Sequence, residues 1–250
     1  MGEPELVRFK GGKGRRPKKP RYVEHAEVFD GADGSGEVTG LKAMTSDAGC
    51  IKVYVDRVQV ARISALDVEG LGLRKGEAWT SGLAGRVREA SGAYEAERAG
   101  VRMLANRSRS RALIERGLRQ RGHAPEGIRA GIERLGAKGF LDDETYAAGV
   151  ARSELGRKPA GKRLIEAKLR RDGVEAGVIA RVLAEAFAER DERDDALELA
   201  RRQARTLVRL EREVAERRLV GRLARRGFDA GVARSCARLA LDECAGGGAS

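Results

Sequence analysis

Three stretches of the chain repeat one pattern, and that pattern limits the fold more than any other feature. Each has an apolar residue, Leu four positions later, Gly four after that, and then a position that is usually apolar. They are Ile114…Leu118…Gly122-His123, Ile165…Leu169…Gly173-Val174 and Leu219…Leu223…Gly227-Phe228. The glycines lie 51 and 54 residues apart. An apolar pair at i and i+4 makes one stripe of an α-helix. Glycine after the last turn permits the left-handed conformation that ends a helix, and the next residue can pack back on it. A further helix then starts, with Asp229 as the clearest N-cap. Each copy therefore reads as three short helices, the glycine-ended one in the middle. A unit this small buries little core alone, so neighbours are expected to pack in series, in an elongated or curved array.

The rest of the chain is read around that array. The expected fold is mainly α, with three tandem three-helix repeats preceded by a small β-hairpin region and a disordered basic amino-terminal tail. The divisions expected are a tail and linker over 1–36, a hairpin extension with a connecting helix over 37–92, repeats over 93–140, 141–190 and 191–244, and a flexible end over 245–250. Aromatic residues are only 4% of the chain, so its cores must be built from Leu, Val, Ile and Ala, which suits helices. Val38–Leu41 reads as a first strand. Cys50–Val55 and Val58–Ile63 alternate apolar and polar residues around Asp56-Arg57, a two-residue turn. The Gly-Leu-Gly-Leu-Arg-Lys-Gly run at 70–76 lacks the spacing of a phosphate loop and reads as a turn.

Charge is distributed unevenly. The net charge is +12. Windows 107–121, 158–172 and 212–226, one per repeat, carry +5, +4 and +4, and residues 1–22 carry +6, leaving −7 for everything else. The excess thus lies on the middle helix of each repeat and in the tail, which favours an anionic partner or an acidic protein surface. The residues expected to make the contact are Arg116, Arg119, Lys162, Arg163, Arg170, Arg171, Arg218, Arg222 and Arg225.

No catalytic constellation is legible. Cys50, Cys236 and Cys244 form no CxxC pair, and with only His25 and His123 there is no zinc set. His123 fills the slot held by Val174 and Phe228, a structural position. Asp142-Asp143-Glu144 and Asp191, Glu192, Asp194 and Asp195 read as acids at helix starts, where they cap free amides and meet the helix dipole. The basic helices carry almost no aromatics, which counts against base-stacking recognition. No enzyme activity, cofactor, metal or membrane span is expected; the protein reads as a cytoplasmic monomer.

Several segments, in order, resemble the RecX family of bacterial regulators of the RecA recombinase. Gly139-Phe-Leu-Asp-Asp-Glu-Thr-Tyr-Ala147 is similar to the family's Gly-aromatic-apolar-Asp-Asp-x-x-aromatic-Ala signature. Lys158-Pro-Ala-Gly-Lys-Arg163, with the helix running on to Gly173-Val174, resembles its Lys-Pro-x-Gly element. Arg217–Phe228 resembles the signature of the third unit, and Ile51–Asp56 with Gly72–Gly76 the hairpin region of many members. Arg222, Val150, Lys168 and the Asp-Arg turn depart from the family's pattern. The resemblance covers most of 38–242 and implies a non-catalytic modulator. Such a protein binds along the groove of the RecA–DNA filament and inhibits its ATPase, strand-exchange and coprotease activities in DNA repair and the SOS response. Single- or double-stranded DNA is a further expected contact, through the basic helices and tail. A direct DNA-binding protein using helix-turn-helix-like units is the alternative.

Overall fold

The computed structural model describes residues 34–45 and 47–246; the expected disordered tail lies outside them. The chain begins with an antiparallel sheet in the order β1 (Val38–Met44), β2 (Asp47–Val55), β3 (Val58–Ser64). The turn between β2 and β3 has positive φ at both central residues, 46° at Asp56 and 70° at Arg57. That is the twist-matched two-residue hairpin, built here without glycine. The alternation read from the sequence breaks inside β3. Val53 pairs with Ala61 but Tyr54 pairs with Gln59, so Val60 is an extra residue. This bulge turns both Val60 and Ala61 into the core.

Helix α1 (Ala65–Leu71) follows directly. Ser64 and Asp67 cap it reciprocally, and Gly72 ends it with φ of 67°. The glycine-rich run at 70–76 is therefore a helix terminus and turn. Helix α2 (Ser81–Asn106) is 26 residues long and runs unbroken past residue 92. Its first half presents Leu83, Ala84 and Val87 to Val38, Val53, Ile63, Leu73 and the buried Trp79. Its second half gives Ala96, Ala99 and Met103 to a separate core with α3 (Arg111–Arg119) and α4 (Pro125–Ala137). One helix thus binds the sheet to the first repeat. Asp67 adds a two-pronged bond to Arg134 of α4, at 2.6 and 3.0 Å. Its carboxyl is held below its usual pKa. Burial pushes that value up, but the Arg134 and Ser64 hydrogen bonds more than offset it.

The second repeat comprises α5 (Asp143–Arg157), α6 (Lys162–Arg171) and α7 (Ala176–Ala186), and the third α8 (Glu192–Ala204), α9 (Arg212–Arg225) and α10 (Ala230–Gly246). Each has its own core, around Ile165, Leu169 and Phe187, and around Leu219, Leu223 and Phe228. Ile114, Leu118, Ile165, Leu169, Leu219 and Leu223 have no exposed surface. Cutting any of these leucines to Ala would cost about 2–5 kcal/mol.

The three middle helices end identically. Gly122, Gly173 and Gly227 have φ of 81°, 79° and 86°. Each donates its N–H three residues back, to Arg119, Arg170 and Ala224, at 2.9–3.0 Å. The following residue donates five back, His123 to Leu118, Val174 to Leu169 and Phe228 to Leu223, at 3.0–3.3 Å. This bond pair is the glycine-ended helix stop the repeat implied. His123 is half-buried in the slot of Val174 and Phe228, as expected.

Candidate functional site

The repeats join end to end through one device used twice. At the first junction the Ser110 hydroxyl donates to the carbonyl of Asp172, just before Gly173, at 2.5 Å. The same hydroxyl accepts from the Leu113 N–H and caps α3. At the second junction Gly161, the residue equivalent to Ser110, donates its N–H to the carbonyl of Arg226, just before Gly227, at 2.9 Å. In both, the start of one middle helix sits on the glycine turn ending the next. Contact is so close that a methyl group added at Gly173 would overlap the Ala112 methyl, and one at Gly227 would overlap the Leu164 backbone. Gly122, at the free end, has no such neighbour.

Flanking side chains lock each junction. Asp143 accepts from the Arg111 N–H at 2.8 Å, and Glu192 from the Lys162 N–H at 3.1 Å. Arg226 donates to the carbonyls of Lys158 and Pro159, at 2.8 and 3.1 Å. Arg163 pairs with Asp229 at 2.6 Å. Of the acids at helix starts, Asp142 and Asp191 have the capping roles read from the sequence, whereas Glu144 pairs with Arg181 and Asp195 with Arg190. Asp142 accepts from the Glu144 and Thr145 N–H groups, Asp191 from Arg193, and Asp229 from Gly231. No metal-ligand cluster occurs among the described residues. Nor is any helix there long and apolar enough to cross a membrane.

The nine proposed contact residues divide into two groups. Arg119 and Arg170, equivalent in the repeat, are each tied to the acid one turn earlier, Glu115 and Glu166, at 2.5 and 2.6 Å. Arg163 is held by Asp229, and Lys162 lies over the Phe187 ring, 5.4 Å from its centroid, a cation–π contact. Arg171 is 3.8 Å from Asp172. Half-buried Arg222 donates to Gln203 and Thr206 of the preceding helix region. Arg116, Arg218 and Arg225 are exposed and have no ion pair or hydrogen bond among the described residues. A formal charge count cannot tell these groups apart, because a paired arginine presents little net field outward.

Sequence reasoning missed a second basic group at the first junction. Arg107 ends α2, Arg109 lies in the following loop, and Arg121 sits in the turn closing α3. Burial, then the charges of Arg107 and Arg121, depress the pKa of Arg109. Beside them Tyr146 of α5 donates to Asp172 at 2.8 Å. Its hydroxyl is pushed up to about 12, by burial and then by that carboxylate. Only the +5 of window 107–121 hinted at this group.

Comparison with known proteins agrees with this architecture. Residues 142–183 match the family model described as RecX, second three-helix domain. A regulatory protein RecX of Corynebacterium efficiens is 34% identical over 192 residues, covering 74% of this chain and 90% of that protein. One of Mycobacterium avium is 37% identical over 135 residues, 53% of this chain and 77% of that one. A crystal structure of a regulatory protein RecX superposes with a TM-score of 0.66 at 18% identity, covering 79% of this chain and 96% of that one. That of RecX from Lactobacillus salivarius gives 0.53, also at 18%, covering 62% and 99%.

Proposed function

From the premise that the chain belongs to the RecX family of regulatory proteins, we propose that it is a non-catalytic regulator of the RecA–DNA filament, working in the cytoplasm as a monomer. It lies along the filament groove and inhibits ATP hydrolysis, strand exchange and coprotease activity. The observation that carries the reading is the repeated junction. Three units joined end to end make a long, narrow ligand for a helical groove, and each unit presents a basic middle helix at a similar interval. The unpaired cations Arg116, Arg218 and Arg225 are the contacts of first choice, facing acidic recombinase surface or DNA phosphates.

The test is ATP hydrolysis by the recombinase on single-stranded DNA, titrated with this protein at salt high enough to suppress binding to free DNA. Inhibition at few molecules per filament is expected. The triple variant R116E/R218E/R225E should require at least tenfold more protein for the same effect, with an unchanged circular dichroism spectrum. Reversing Arg163 or Arg170 is a poorer probe, because it would also break the pairs with Asp229 and Glu166. Undiminished inhibition by the triple variant would remove these residues from the interface. Absence of inhibition by the parent protein would reject the filament reading in favour of direct DNA binding.

A further inference from the structure

We propose that one face of the amino-terminal sheet binds single-stranded DNA through Lys42, Lys52, Arg62 and Tyr54. The site is separate from the basic middle helices and lies outside the three repeats. Lys42 of β1 is paired in register with Lys52 of β2, and Lys52 with Arg62 of β3. Residues directly opposite on antiparallel strands share a face, with Cβ atoms about 4.5–5.5 Å apart. Three cations therefore cross the sheet in one row. The adjacent row, Leu41, Val53 and Ala61, faces the other way, toward the core that holds Trp79.

Like charges directly opposite one another destabilise a sheet. Glu95 of α2 relieves Arg62, at 2.8 Å. Lys42 and Lys52 have no ion pair among the described residues. The one acid within the three strands, Asp47, is taken up by Tyr94 and Arg98 of α2. A lysine on an edge strand guards against pairing with another sheet, which accounts for Lys42. It does not account for Lys52, half-buried on the central strand between two other cations. A polyanion laid across the row offsets the repulsion. Tyr54 lies two residues along β2 from Lys52, hence on the same face. Opposite it on β1 is Gly40, where an added methyl would sit 3.8 Å from the Tyr54 Cδ2. The Lys42 Nζ is 5.0 Å from the ring centroid. The face thus sets an aromatic ring among cations, the combination that the basic helices lack. A base stacks on Tyr54 in place of the Lys42 ammonium, and the row takes the neighbouring phosphates.

The test is fluorescence anisotropy of a labelled single-stranded oligonucleotide at several salt concentrations. It uses the full chain carrying R116Q/R218Q/R225Q, so that binding by the helices does not mask the sheet. Each phosphate contact contributes about 0.7 to the logarithmic salt slope on single strands, or roughly fivefold in affinity at 0.1 M salt. Adding K42Q/K52Q should therefore weaken binding on the order of twenty-five-fold, with a slope shallower by about 1.4. Adding Y54L should weaken it on the order of tenfold with the slope unchanged, because the lost stacking involves no phosphate. Adding R129Q/R234Q, which removes the same charge from exposed positions on α4 and α10, should change affinity by no more than about threefold.

Equal loss with K42Q/K52Q and R129Q/R234Q, or none with K42Q/K52Q, overturns the site. So does a protein that, without the three helix arginines, binds no oligonucleotide. Full affinity in Y54L, or equal competition by unlabelled duplex of the same length, overturns the part given to stacking. Because K42Q/K52Q relieves like charges, its melting temperature by circular dichroism should be no lower than that of the protein it is made in. A lower one would show that the lysines hold the sheet together, and would overturn the reading of the row as a binding feature. These measurements involve no recombinase, so the site stands or falls apart from the filament reading.

Discussion

Substituting alanine at Gly227 and at Gly122 asks how much the inter-repeat junction contributes. Both residues have the same left-handed backbone, with φ of 86° and 81°. Alanine there costs about 1–2 kcal/mol in conformational energy. About 0.5 kcal/mol of this is recovered from the less flexible unfolded chain. For Gly122→Ala nothing else follows, because no atom lies near the added methyl. At Gly227 the methyl would overlap the backbone of Leu164 and the junction must open. The bonds then lost are Gly161 to the Arg226 carbonyl and the Arg226 guanidinium to Lys158 and Pro159. At roughly 1 kcal/mol net for each, the further loss is about 3 kcal/mol. It cannot exceed the free energy of the junction itself, since the chain can part there instead of bearing the overlap.

Gly227→Ala should therefore be less stable than Gly122→Ala by about 3 kcal/mol, a further fall in melting temperature of about 6–12 °C for a chain of this size. Circular dichroism is the proper probe. Trp79 is buried in the sheet core and would not report on the third repeat. X-ray scattering should show a larger radius of gyration for Gly227→Ala alone, because the third repeat becomes free to swing. Equal stability and superimposable scattering for the two variants would refute the view that this junction holds the repeats in line.

Two further outcomes follow from the same geometry. Ser110→Ala removes both the cap of α3 and the bond to the Asp172 carbonyl, and should cost about 1–3 kcal/mol in denaturant unfolding. Ser110→Thr, which keeps the hydroxyl, should recover part of that loss. Tyr146, with its hydroxyl pushed up to about 12, favours its neutral form in the folded state. Its contribution to stability is fully present below the unfolded value near 10, and is lost as pH rises from 10 through 12. Absorbance titration at 295 nm should show a phenol component near 12 in the parent protein that is missing in Tyr146→Phe. Stability measured across the same range should flatten in that variant.

The structure explains why charge counting could not separate the arginines of one window. Window 107–121 contains Arg119, paired within its own helix, Arg116, exposed and unpaired, exposed Arg107 and Arg121, and half-buried Arg109. All five count equally in a sum of charges. Pairing at i and i+4, as between Glu115 and Arg119, is visible in the sequence because a helix puts those positions on one face. The influence of Arg107 and Arg121 on Arg109, from a helix end and a turn on a loop, is not. It depends on how α2, the loop after it and the turn closing α3 pack within the first repeat.

The same division runs through the whole molecule. Local chemistry in the sequence determined each middle helix, its apolar stripe and its glycine stop, because these involve residues at most five positions apart. It also determined the hairpin, although the bulge at Val60 came from fitting β3 against the core. Only the tertiary structure decided that the start of each middle helix rests on the next glycine turn. The contacts that do this join residues more than 60 positions apart, Ser110 with Asp172 and Arg226 with Lys158. No periodicity encodes such a bond. It exists because three rigid units, each closed around its own leucines, leave backbone groups at their ends that only a neighbouring unit can satisfy.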